Sequence, residues 1–190
     1  LHVRSRRQRQ MCIRDSSGAL TLNAASVSGS INSSGTGSIS NGSTLSGAVT
    51  IGNGLTSGSS TFNSTLTVTN GSLNSSNSTY HGNVIVNSNI TTNNDVFLAD
   101  VTSTNGALNL TGGSVTGMIT TPCCTLTTNN TDLAGGATVQ SGISITGGTI
   151  SGDYTMTSNN PAVVNNVTMT SGSITSASTV TINNLSLIHI

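Results

Sequence analysis

The chain has 190 residues, of which 33% are hydrophobic, 2% aromatic and 5% charged, with no Trp and a formal net charge of zero. That is thin for a globular core and far below the usual quarter of charged residues, which argues against an ordinary enzyme domain, a nucleic-acid binder and a coiled coil. No apolar run reaches the length of a membrane helix.

The zero net charge hides an uneven distribution. Met11-Cys-Ile-Arg-Asp-Ser16 back-translates to the mosaic end of a tagmentation sequencing adapter, and Leu185-Ser-Leu-Ile-His-Ile190 to its reverse complement. Arg6-Arg-Gln-Arg-Gln10 and Leu1-His2 fit adapter stretches further upstream. Residues 1–16 and 185–190 therefore resemble translated adapter and are expected not to be native. Residues 17–184 are expected to be a fragment of a longer, metagenome-derived protein. Every Arg of the chain (Arg4, Arg6, Arg7, Arg9, Arg14) lies in 1–16. Residues 17–184 hold no Lys, Arg or Glu and four Asp (Asp95, Asp100, Asp132, Asp153), a net charge of −4.

Within 17–184, Ser, Thr, Asn and Gly make up 106 of the 168 residues. Composition alone suggests disorder. A repeat says otherwise. A cassette of apolar, any, Gly, any, apolar runs along the chain: Val27-Ser-Gly-Ser-Ile31, Leu45-Ser-Gly-Ala-Val49, Tyr80-His-Gly-Asn-Val84, Val115-Thr-Gly-Met-Ile119, Leu133-Ala-Gly-Gly-Ala137 and Ile150-Ser-Gly-Asp-Tyr154. Phe62-Asn-Ser-Thr-Leu66 and Phe97-Leu-Ala-Asp-Val101 keep its apolar ends. Counting Val167 as the ninth start, successive cassettes are 17 or 18 residues apart. A second apolar column precedes the starts by seven residues at Leu20, Leu55, Leu73, Ile90, Leu108, Leu126 and Ile143, with an apparent failure at Ser38 and a slip in the spacing near Asn159–Val167, around Pro161. The one-residue slack falls in short Gly/Asn-rich turns such as Gly52-Asn-Gly54, where those residues suit positive φ. The cassette Gly fits a bend or bulge. Between turns, Ser64-Thr-Leu-Thr-Val68 and Asn83-Val-Ile-Val86 alternate with period two, as short strands do.

Short strands at this interval predict an all-β fold: a single-stranded parallel β-helix of about nine coils, each 17–18 residues long and stacked at about 4.8 Å. One coil cannot offset the entropy of ordering its own backbone, so stability must come from stacking, including ladders of Asn and Thr.

Cassettes in a Ser/Thr/Asn/Gly background resemble the passenger regions of bacterial autotransporter and filamentous-haemagglutinin-type adhesins. That resemblance implies a right-handed β-helix, secretion and an adhesive or scaffolding role at the cell surface. The Gly-centred cassette Tyr80-His-Gly-Asn-Val84 is also similar to bactofilins, which implies a cytoplasmic, polymer-forming scaffold. A third resemblance is to carbohydrate-active β-helices and phage tail spikes, of which this would be a non-catalytic part.

No enzyme activity is expected. Asp100 and Asp153 share a cassette position but lie three coils, about 14 Å, apart, too far for general acid–base work. All four Asp read as solvated turn residues, and His81 as an outward, solvated side chain. The glycine-rich calcium-binding nonapeptide is absent, with Gly147-Gly-Thr-Ile-Ser-Gly-Asp153 only a loose echo, so no metal site is expected. Cys123-Cys124 lacks metal-binding or redox spacing and reads as a pair of small turn residues, with a vicinal disulfide the alternative in an oxidising compartment. No catalytic or cofactor-binding residue is singled out, and no cofactor is implied. With no cations in 17–184, nucleic-acid binding has no electrostatic basis. The expected partners are glycans or proteins of a host or matrix, and further copies meeting through exposed coil ends, with no membrane contact within these residues.

Overall fold

The computed structural model describes residues 2–3, 13–16 and 18–188, with side-chain placement confined to the last range. The fold is all-β: three parallel sheets stacked as a solenoid of about nine turns, with no helix among the described residues. Each turn carries a four-residue strand on a first face, a two-residue strand on a second and a three-residue strand on a third. In one turn these are Leu55–Gly58, Thr61–Phe62 and Leu66–Val68. Each pairs with the equivalent strand one turn away, as Leu73 aligns with Leu55 and Ile90, and Tyr80 with Phe62 and Phe97. The backbone segments His2–Val3, Ile13–Ser16 and Ser186–Leu187 join the ends of these ladders. Coil 1 starts at Leu20, coil 2 at Gly37, coil 3 at Leu55, coil 4 at Leu73, coil 5 at Ile90, coil 6 at Leu108, coil 7 at Leu126 and coil 8 at Ile143.

Six side chains per coil point inward. In coil 4 they are Leu73 and Ser75 from the first face, Ser78 from the corner, Tyr80 from the second face, and Val84 and Val86 from the third, all buried. The four columns legible as apolar repeats are therefore joined by two more, at the third residue of the first face and at the corner. The corner turns on a residue with positive φ, often Asn, which tolerates the left-handed region better than most side chains: Asn77 (φ 53°), Asn94 (φ 56°), Asn130 (φ 51°) and Asn166 (φ 53°). That residue adds one step to the in–out alternation, so both Ser75 and Ser78 face inward although they are three apart.

Four details differ from the sequence reading. The apparent failure at Ser38 is resolved by Gly37, which aligns with Leu20 and Leu55 while Ile39 turns inward. Two consecutive left-handed residues, Asn41 and Gly42, absorb the extra residue at the next corner. The ninth cassette starts at Met169, paired with Ile150, rather than at Val167, which fills the corner column. The extra residues sit in the Asn159–Pro161 turn, between the strands Tyr154–Met156 and Ala162–Asn165. The turns after the third face do absorb the slack, but most of their Gly and Asn are not left-handed. Gly71 is there because a Cβ would lie 2.2 Å from the Asn53 carbonyl oxygen of the coil before. The same close approach explains the cassette Gly82, whose Cβ would lie 2.4 Å from the Ser64 carbonyl carbon.

Candidate functional site

Two regions of this solenoid carry more than packing. The first is a polar cluster inside coils 3 to 5. Phe62, Tyr80 and Phe97 occupy one inward column and stack through the core, with ring centroids 4.8 and 4.7 Å apart. Stacking at this distance adds to the burial term. Tyr80 carries its phenol into the first-face and corner columns, where coils 3 to 5 place Ser57, Ser75, Thr92, Ser60, Ser78 and Asp95 instead of apolar residues. The Tyr80 Oη and Ser75 Oγ are 2.7 Å apart, and the Ser57 and Ser78 hydroxyls 3.0 Å. Burial pushes the Tyr80 phenol well above its usual range, and the nearby Asp95 carboxylate adds to the shift.

Asp95 is the one buried carboxylate among the described residues, at 2% exposure. Its Oδ1 accepts the Ser78 N–H at 2.6 Å, while its Oδ2 has no hydrogen-bond partner. Burial raises its carboxyl to about 6, opposed by the Ser78 N–H and by the Ser75 hydroxyl. The Ser75 hydroxyl also meets the Tyr80 Oη, and either oxygen can be the donor in that pair. The reading of all four Asp as solvated holds for Asp100, Asp132 and Asp153 but not for Asp95, which the left-handed Asn94 turns into the core. The sequence offered a signal: Asp95 stands two residues before a cassette start, as do Ser43, Ser60, Ser78 and Thr131, all buried.

The second region is the outer surface. On the third face the outward residues Thr102, Thr120, Thr138, Thr155 and Thr175 align in one column. On the first face, outward Thr and Asn alternate along single strands, as in Thr91 with Asn93 and Thr127 with Asn129. Asn side chains form rungs between coils. The Asn41 Nδ2 donates to the Asn23 Oδ1 at 2.7 Å, the Asn183 Nδ2 to the Asn165 Oδ1 at 2.8 Å and the Asn184 Nδ2 to the Asn166 Oδ1 at 3.0 Å. The exposed carboxylates join in: Asp100 Oδ1 accepts the Met118 N–H and Asp132 Oδ1 the Thr149 N–H, both at 2.9 Å. They stand on different coils and form no dyad. His81 is exposed.

Cys123 and Cys124 are joined in a vicinal disulfide, so the small-turn-residue reading is incomplete. The turn is held by the Thr121 hydroxyl, which donates to the Cys124 carbonyl at 2.6 Å, and by the Ser141 hydroxyl on the Cys123 carbonyl at 2.9 Å. No group of three metal-ligating side chains occurs among the described residues.

Comparison with protein-family models, curated proteins and solved structures finds no match to this chain.

Proposed function

We propose that this chain is a repeat region of a secreted or cell-surface bacterial protein, a stiff rod that presents uncharged hydroxyl and amide columns to glycans or proteins. The observation that carries the reading is the register of the outer columns. Thr102, Thr120, Thr138 and Thr155 recur at the strand spacing of about 4.8 Å on a parallel sheet. A periodic array of donors and acceptors suits an extended ligand that is itself periodic and uncharged. The absence of Lys, Arg and Glu from 17–184 favours a neutral ligand over a phosphate backbone.

The test is retention on immobilised neutral and charged polysaccharides and on matrix proteins, comparing the chain with a Thr120→Asp/Thr138→Asp variant. Binding to a neutral glycan that falls at least tenfold in the variant supports the reading. Binding that the variant leaves unchanged, or none across the panel, counts against it.

A further inference from the structure

The corner column has a job that recurs. In coil 2 the Ser43 Oγ accepts the Ala25 N–H of the coil before, at 3.2 Å. In coil 4 the Ser78 Oγ accepts the Ser60 N–H at 3.3 Å. In coil 5 the same job, accepting the Ser78 N–H, falls to Asp95 at 2.6 Å. A neutral hydroxyl suffices in coils 2 and 4. The carboxylate supplies the same acceptor plus a charge and a second oxygen, and that second oxygen has no partner although the residue is 2% exposed.

Among the described residues, nothing around Asp95 balances the charge. The coil before presents Ser75, Ser78 and Tyr80, and the coil before that Ser57 and Ser60. Its own coil presents Thr92 and Phe97, and the coil after places Gly113 in the corner column. Tyr80 is the one titratable group among them, and it is neutral in the ordinary pH range. His81, Asp100, Asp132 and Asp153 are exposed on the outside of the rod. An isolated buried charge is costly enough that such a group takes up a proton rather than remain ionised.

We propose that Asp95 is a proton-operated latch within the rod: protonation of its free Oδ2 closes coils 3 to 5, and ionisation loosens the same coils. The step is a simple protonation. Oδ2 takes a proton from water and becomes an O–H donor toward the Ser75 hydroxyl oxygen, while Oδ1 keeps the Ser78 N–H. Losing that proton returns it to water and leaves a charge with a single hydrogen bond.

The direction with pH follows. The folded carboxyl sits at about 6 against 3.8 for the ordinary group, so the folded state binds the proton more tightly. The added stability is fully present below about 4, falls as pH rises and is lost above about 6. Between pH 7.5 and pH 5 the opening equilibrium of coils 3 to 5 is expected to fall about tenfold.

The experiment is hydrogen exchange with mass spectrometry on the full chain at pH 5 and pH 7.5, corrected for intrinsic exchange, following peptides from coils 3 to 5 and from coils 7 and 8. The expected result is a tenfold gain in protection at pH 5 in coils 3 to 5, absent in Asp95→Asn and retained in Asp100→Asn, which removes an exposed carboxylate. Should Asp95→Asn fail to fold, Asp95→Ser restores the hydroxyl that the column uses at Ser78 and is expected to be equally insensitive to pH. A wild-type chain with no difference between the two pH values overturns the proposal, as does an Asp95 variant that keeps the wild-type difference.

Discussion

Gly82 gives a sharp test of how closely the coils approach. A Cβ built there lies 2.4 Å from the Ser64 carbonyl carbon and 2.6 Å from the Thr65 nitrogen, both backbone atoms of the preceding coil. Neither atom can swing away as a side chain can. On one side the coils are tied by the His81 N–H on the Phe62 carbonyl at 2.8 Å, and on the other by the Leu66 N–H on the Asn83 carbonyl at 2.9 Å. Gly82→Ala must therefore stretch this ladder, an overpacking strain of about 1–3 kcal/mol. The smaller entropy of the unfolded alanine chain returns about 0.4–1 kcal/mol, leaving a net destabilisation of roughly 1–2 kcal/mol. Gly58 is the control: it lies on a strand of the first face without positive φ, and its Cβ would meet nothing nearer than the Ser76 Oγ at 3.8 Å. Gly58→Ala is expected to be neutral or stabilising by up to about 1 kcal/mol. Urea unfolding followed by circular dichroism measures both, with the Gly82→Ala midpoint expected to fall by about 0.5–1 M. A Gly82→Ala chain as stable as Gly58→Ala would refute the close-approach argument.

The core offers a second comparison. Phe97→Ala removes one end of the aromatic stack and is expected to cost about 3–5 kcal/mol in the same assay; a loss below about 1 kcal/mol would mean the stack is not formed. The Cys123–Cys124 bond closes no loop of intervening residues, so its reduction is expected to leave the unfolding midpoint almost unchanged. Peptide mapping of the unreduced chain is expected to show the 119–126 segment lighter by two hydrogens than after reduction, and two free thiols there would contradict the bond.

Much of the architecture could be read directly from the residue order. The intervals from Val27 through Leu45, Phe62 and Tyr80 to Ile150 are the length of chain in one turn, and the alternation in Asn83–Val86 is the pleat of one strand. Parallel stacking follows because equivalent residues of successive repeats can bury the same column against one another, as Phe62, Tyr80 and Phe97 do. The place where the period most often stretches was also legible, in the turns after the third face, although coil 2 takes its extra residue at the Asn41–Gly42 corner instead.

The interior polar columns left only a positional trace, two residues before each cassette start, that gives no burial by itself, and the reason is one of phase. Alternation assigns in and out only as far as the strand runs, and at each corner a left-handed residue such as Asn77 or Asn94 shifts the count by one. Ser78 and Asp95 look like turn residues by type, and only the corner conformation turns them inward. The isolation of Asp95 is likewise a property of assembled coils: its environment comes from Ser78, Tyr80 and Gly113, which belong to the turns stacked before and after it. Residue order determined the repeat, the strands and four of the six inward columns. Tertiary stacking decided which polar groups lost their water, because desolvation depends on the coil above and the coil below, and neither is a sequence neighbour.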